Sequence, residues 1–165
     1  GCGSCTAAVD ELSDGLLRHL RARSTVYAVV ARAPIAKLAK YRAKRGWTIP
    51  LYSSFSSDFN YDFNVTLDAS VAPVMFNYRG PEELRAAGME WILNTDDQPM
   101  EQPGMSCFLR DGDDVFHTYS TFARGTEQTG GAYGILDMTV LGRQEDWEEP
   151  KGRAGTSRGA VPDFT

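Results

Sequence analysis

Between Cys5 and Arg23, apolar side chains recur at Val9, Leu12, Leu16, Leu17 and Leu20, with polar or charged residues filling most positions between them. Offsets of three, four and seven put these positions on one face of an α-helix. The spacing therefore predicts one amphipathic helix from near Ser4 to about Arg23, weakened slightly by Gly15. The pattern then changes. Thr25-Val26-Tyr27-Ala28-Val29-Val30-Ala31 is a continuous apolar and β-branched run, which predicts a strand covered on both faces, as in a parallel sheet. Pro34 stands where a helix can start, Ile35, Leu38 and Tyr41 supply its apolar stripe, and Gly46 follows its last turn. Trp47 to Ser53 reads as a short strand, with Pro50 favouring an edge or an end. Helix, strand, helix, strand is the order of βαβ units with right-handed crossovers.

Beyond Ser53 the periodicity weakens. Ser54 to Asp68 mixes Ser, Asp and Asn with Phe55, Phe59, Tyr61 and Phe63, and predicts a short helix or an ordered loop. Residues 69–104 hold one further helix, Pro81 to about Ile92, between connections rich in Pro, Gly and Asp, and read as an insertion. Ser106–Arg110 and Val115–Tyr119 flank Asp111-Gly112-Asp113-Asp114, a hairpin signal. Gly130 to Val140 predicts a last helix carrying Tyr133, Ile135, Leu136 and Met138. After Gly142 the chain turns charged and then rich in Gly, Arg and Ser. One domain is expected over residues 1–147, with 148–165 as an extended or mobile tail.

Composition narrows the function classes. A chain of 165 residues, 42% of them apolar, can build one sizeable core. A net charge of -5, with cations scattered among more numerous carboxylates, argues against nucleic-acid and anionic-membrane partners. Lys37, Lys40, Arg42, Lys44 and Arg45 do cluster, but on a predicted helix with apolar residues between them, which reads as a solvated face. No run approaches the roughly 20 apolar residues that span a bilayer. The chain begins Gly-Cys-Gly without an initiator Met or a visible signal peptide; the expectation is a cytoplasmic protein with a segment lost upstream.

The cysteines point to chemistry. There are three, and Cys2 and Cys5 stand at C-x-x-C spacing, which is not the layout of a disulfide-stapled domain. A structural zinc site would need a second ligand pair, whereas Cys107, His19 and His117 are widely spaced singles. Two thiols within the first turn of a helix can close a disulfide while the helix N-terminus favours a thiolate on the first. Cys2 is then the attacking thiol and Cys5 the resolving one. Gly3 and Ser4, small and uncharged, are candidate substrate contacts between them. An inert local disulfide is the plain alternative. Cys107 fits a small apolar residue in a central strand, His117 a polar strand position, and His19 a helix surface with no identifiable partner.

Val29-Val30-Ala31-Arg32-Ala33-Pro34, Ala36-Lys37-Leu38, Arg45-Gly46-Trp47, Ser53-Ser54-Phe55, Asp58-Phe59-Asn60-Tyr61-Asp62-Phe63, Val115 to Thr121, Ala123-Arg124-Gly125 and Leu141-Gly142-Arg143 together closely resemble the bacterial domain of unknown function 899 family. The resemblance covers nearly the whole chain. It implies an α/β, thioredoxin-like fold: a central mixed sheet flanked by helices, with the insertion before the C-terminal β-hairpin and a first strand expected upstream of Gly1. It also implies a dithiol-disulfide oxidoreductase role toward a protein or small-molecule thiol or disulfide. Such a site uses a proline just before the hairpin, commonly cis, to present backbone to an extended substrate, and Pro103, nine residues before Gly112, is the candidate. This chemistry requires no cofactor. More distantly, the run from the first strand to Asn64-Val65 is similar to peroxiredoxins, which leaves a peroxide reductase with a Cys2 sulfenic acid as an alternative. A non-catalytic binding domain that holds a partner through Phe55 to Phe63 is the third.

Overall fold

A computed structural model describes residues 2–145, 148–149 and 151–154. Gly1 and most of the expected tail, including residues 155–165, lie outside the described residues. The described residues form two compact units: those within 2–55, 107–119 and 129–154, and those of 56–106 and 120–128.

In the first unit the long N-terminal helix is two helices, α1 (Gly3–Asp10) and α2 (Asp14–Arg21). The break has a local cause. Ser13 is extended and its hydroxyl accepts the Leu16 N–H at 3.1 Å, so it caps a new helix instead of continuing the old one. The apolar spacing survives across the break, which is why periodicity alone reads it as continuous. Ser13→Ala is expected to lower stability by about 1 kcal/mol, seen as a lower urea midpoint with an unchanged m-value.

After α2 come β1 (Val29–Ala31), α3 (Ile35–Arg45) and β2 (Leu51–Ser53). β1 and β2 pair in parallel with Val29 opposite Leu51 and Ala31 opposite Ser53, the βαβ arrangement that the sequence order predicts. Pro34 caps α3, and Gly46, at a left-handed φ of 69°, ends it by bringing its own N–H to Ala43 and the Trp47 N–H to Arg42. Pro50 has no N–H to give to a ladder, and its carbonyl accepts from Val29 just before β2 begins. Leu20, Ile135 and Leu136 form the buried cluster that joins α2 to α6 (Gly131–Asp137), with Leu16, Tyr27, Ala132 and Met138 packed around it.

The second unit contains α4 (Phe59–Asp62), β3 (Thr66–Leu67), α5 (Pro81–Ala86) and β4 (Met100–Glu101). β3 and β4 pair antiparallel, and Val74, Leu84 and Ile92 make a core of their own. The helix expected to reach Ile92 stops at Ala86 because Gly88, at φ 68°, turns the backbone left-handed; a 3-10 turn, Glu90–Leu93, then carries Ile92 into the core. The hairpin consists of β5 (Gly104–Asp111) and β6 (Asp114–Phe122).

Two expectations about the sheet are corrected. Among the described residues there are three separate two-stranded ladders, β1–β2, β3–β4 and β5–β6, instead of one central mixed sheet. The apolar run 25–31 is a strand only at its end and is not covered on both faces: Val26 is 69% and Val30 41% exposed. A β-branched run marks where a strand can form, whereas cover depends on what packs over it and on which strand edges meet. The chain is a mixed α/β protein of helices and small sheets.

Candidate functional site

The cysteine pair opens α1. Cys2 is the N-cap: its backbone is extended (φ -83°, ψ 126°) and its sulfur accepts the Cys5 N–H at 3.2 Å. The Thr6 N–H at 3.1 Å and the Thr6 hydroxyl at 2.9 Å both donate to the Cys2 carbonyl, closing the first turn. The Ser4 hydroxyl lies 3.3 Å from the Cys2 sulfur. Sulfur thus takes the place that a Ser or Asp oxygen usually holds at a helix start, where N–H groups are unpaired and the dipole end is positive. No acidic side chain occupies the first turn to compete for that potential. Cys2 and Cys5 are both free and exposed.

α1 is fastened to α3 by polar groups. The Thr6 and Tyr41 hydroxyls are 3.0 Å apart. At the other end of α1 the Asp10 carboxylate accepts from both Nε and Nη2 of Arg45 and from the Trp47 indole N–H at 2.7 Å. Tyr41 and Trp47 meet edge to face with ring centroids 5.4 Å apart. The Arg45 and Trp47 bonds hold the Asp10 carboxyl below the usual carboxylate range. A carboxyl with a depressed folded pKa contributes stability that is present above its unfolded pKa and lost as pH falls through its folded pKa. The Trp47 indole N–H resonance is therefore expected to stay constant through neutral pH, to shift only below the usual carboxylate range, and to lose that transition in Asp10→Asn.

The other sequence candidates fall elsewhere. Cys107 sits on β5 and is half-buried, in a two-stranded hairpin instead of a central strand; burial pushes its thiol pKa up, opposite to what a nucleophile needs. His117 is exposed on β6, with its Nε2 3.0 Å from the Tyr119 carbonyl. His19 lies exposed in the last turn of α2, where a basic group suits the helix dipole. Pro103 belongs to the second unit, and its carbonyl lies 3.4 Å from the Ala123 N–H. The cis X-Pro bond among the described residues is Gln98–Pro99, so the Pro103 peptide is trans. Cys2, Gly3, Ser4 and Cys5 come together as one turn of backbone.

The aromatic segment is largely engaged with its own unit. Phe59 and Phe63 stack with centroids 4.6 Å apart, Tyr61 donates to Asp68 at 3.0 Å, and buried Asn60 donates to Glu101. Phe55 stays 54% exposed. Among the described residues no group of three or more His, Cys, Asp or Glu side chains could hold a metal ion, and no helix is long and apolar enough to cross a membrane. Sequence reasoning missed the fastening of α1 by Tyr41, Arg45 and Trp47. Its trace was the Arg45-Gly46-Trp47 string, in which a glycine helix stop holds a cation and an indole side by side.

A family model described as "Bacterial protein of unknown function (DUF899)" matches residues 1–158. Neither the curated proteins nor the solved structures include a significant match.

Proposed function

The chain belongs to the DUF899 family of bacterial proteins, and from that premise we propose that it is a thiol-disulfide oxidoreductase of thioredoxin-like fold. The observation that carries the proposal is the capping geometry: the Cys2 sulfur receives the Cys5 N–H at the start of α1, with both cysteines exposed. A C-x-x-C helix followed by a parallel βαβ unit is also the context in which such a pair works as a redox centre. As thiolate, Cys2 attacks one sulfur of a substrate disulfide and forms a mixed disulfide, and the first substrate thiolate leaves. Cys5, losing its proton to solvent, attacks the Cys2 sulfur; the Cys2–Cys5 bond forms, the mixed disulfide breaks, and the second substrate thiol leaves. The substrate disulfide is reduced by two electrons and the pair is oxidised by two. The reverse sequence oxidises a substrate dithiol.

Gly3 and Ser4 lie beside the reacting sulfurs and present little bulk, so they are the proposed substrate contacts on this turn. Pro103 enters on the family resemblance alone. The test of the whole proposal is the mass shift after thiol alkylation across a glutathione redox series. A reversible two-thiol transition at Cys2 and Cys5 is the expected result. Cysteines that stay reduced or stay oxidised throughout would overturn the proposal and favour a binding role. A Cys2 sulfenic acid formed with peroxide and resolved by Cys5 would favour the peroxide reductase.

A further inference from the structure

α1 carries the cysteines, yet it buries no residue of its own. An apolar face normally holds a short helix in place, because eight residues are too few for a stable helix in water by propensity alone. Beside the C-terminal half of α1 there is instead an open pocket of about 210 Å³, lined by Val9, Asp10, Arg45 and Trp47 among others. Side-chain hydrogen bonds connect α1 to α3 and to Trp47 at two points, Thr6 to Tyr41 where the first turn closes and Asp10 to Arg45 and Trp47 at the last residue. An isolated exposed ion pair contributes little. Here one carboxylate takes three N–H donors, and both Tyr41 and Trp47 belong to a ring pair anchored on α3 and the residue after its cap, so the contacts act as a network.

We propose that Tyr41 and the Asp10–Arg45–Trp47 cluster are positioning residues for the cysteine pair: by holding α1 wound at Thr6, where its first turn closes, and at Asp10, its last residue, they maintain the cap on Cys2 and so set its redox equilibrium. The proposal rests on the dithiol reading above. When the first turn frays, the Cys2 sulfur loses the Cys5 N–H and the ordered peptide dipoles behind it, and the thiolate is stabilised less. The reduced form then loses stability relative to the disulfide, and the pair becomes a stronger reductant.

Two measurements on the full chain test this. In a Cys2→Ser/Cys5→Ser background, Asp10→Asn and Tyr41→Phe are expected to speed amide hydrogen exchange over residues 6–10 severalfold while exchange in α6 is unchanged. With the cysteines intact, the same variants are expected to need a severalfold larger [GSH]²/[GSSG] for half reduction, and Asp10→Glu is expected to recover part of the shift. Tyr41→Phe alters no charge, so a shift shared with Asp10→Asn separates fastening from a change of local field. Unaltered exchange overturns the fastening whatever the thiols do. Faster exchange with an unmoved redox midpoint overturns the positioning role while the dithiol reading stands. A wild-type pair that does not cycle overturns the dithiol reading and the positioning role with it, and the exchange result then describes local structure only.

Discussion

Cys5→Ser is expected to turn Cys2 into a trap. Given an excess of glutathione disulfide, this variant should accumulate one glutathione per chain, mapped by mass to Cys2, because the first exchange proceeds and the second has no attacking sulfur. Cys2→Ser should accumulate none at position 5 above the rate of an ordinary thiol and should lose disulfide reductase activity to the level of the buffer control. The asymmetry follows from the helix: Cys2 caps it from outside the first turn, whereas Cys5 lies within that turn and gives its N–H to Cys2. Cys107 provides an internal comparison. Its half-buried thiol, with a pKa raised by desolvation, should stay unlabelled in both variants over the same time. Adducts that form preferentially on Cys5 would reverse the assigned roles, and equal labelling of all three cysteines would remove the case for an activated thiol.

The second large effect lies in the core. Leu20 is fully buried against Ile135 and Leu136, so Leu20→Ala removes apolar contact and leaves a cavity that its neighbours only partly fill. The expected loss is about 2–5 kcal/mol, read as a lower urea midpoint. Val30→Ala is the paired control. Val30 stands in the most strand-like run of the sequence but is 41% exposed, and its truncation should cost less than about 1 kcal/mol. If Val30→Ala proves as damaging as Leu20→Ala, then the 25–31 run is covered in solution as its composition predicts, and a larger sheet forms around β1. The comparison therefore tests both the packing and the main correction to the expected fold.

What the sequence determined by itself is the part governed by near neighbours. Ile35, Leu38 and Tyr41 between Pro34 and Gly46 define α3, because helix spacing, a proline start and a left-handed glycine stop all act within one or two turns. Asp111 to Asp114 mark the hairpin for the same reason, and Cys2 and Cys5 stand one turn apart at a predicted helix start. Even the break between α1 and α2 was local, a Ser13 cap concealed by apolar spacing that ran on across it.

Only the tertiary structure decided which distant groups meet. That the hairpin forms a ladder of its own instead of joining β1 and β2 in one sheet depends on strand edges, which no residue pattern encodes. Asp10 could not be matched to Arg45 and Trp47 from the sequence, since 35 and 37 residues separate them and every helix surface offers similar charges. The helix that carries the cysteines was legible because periodicity and capping are short-range. What holds that helix in place was not, because a hydrogen bond across such a distance depends on the folded path of the chain between its partners.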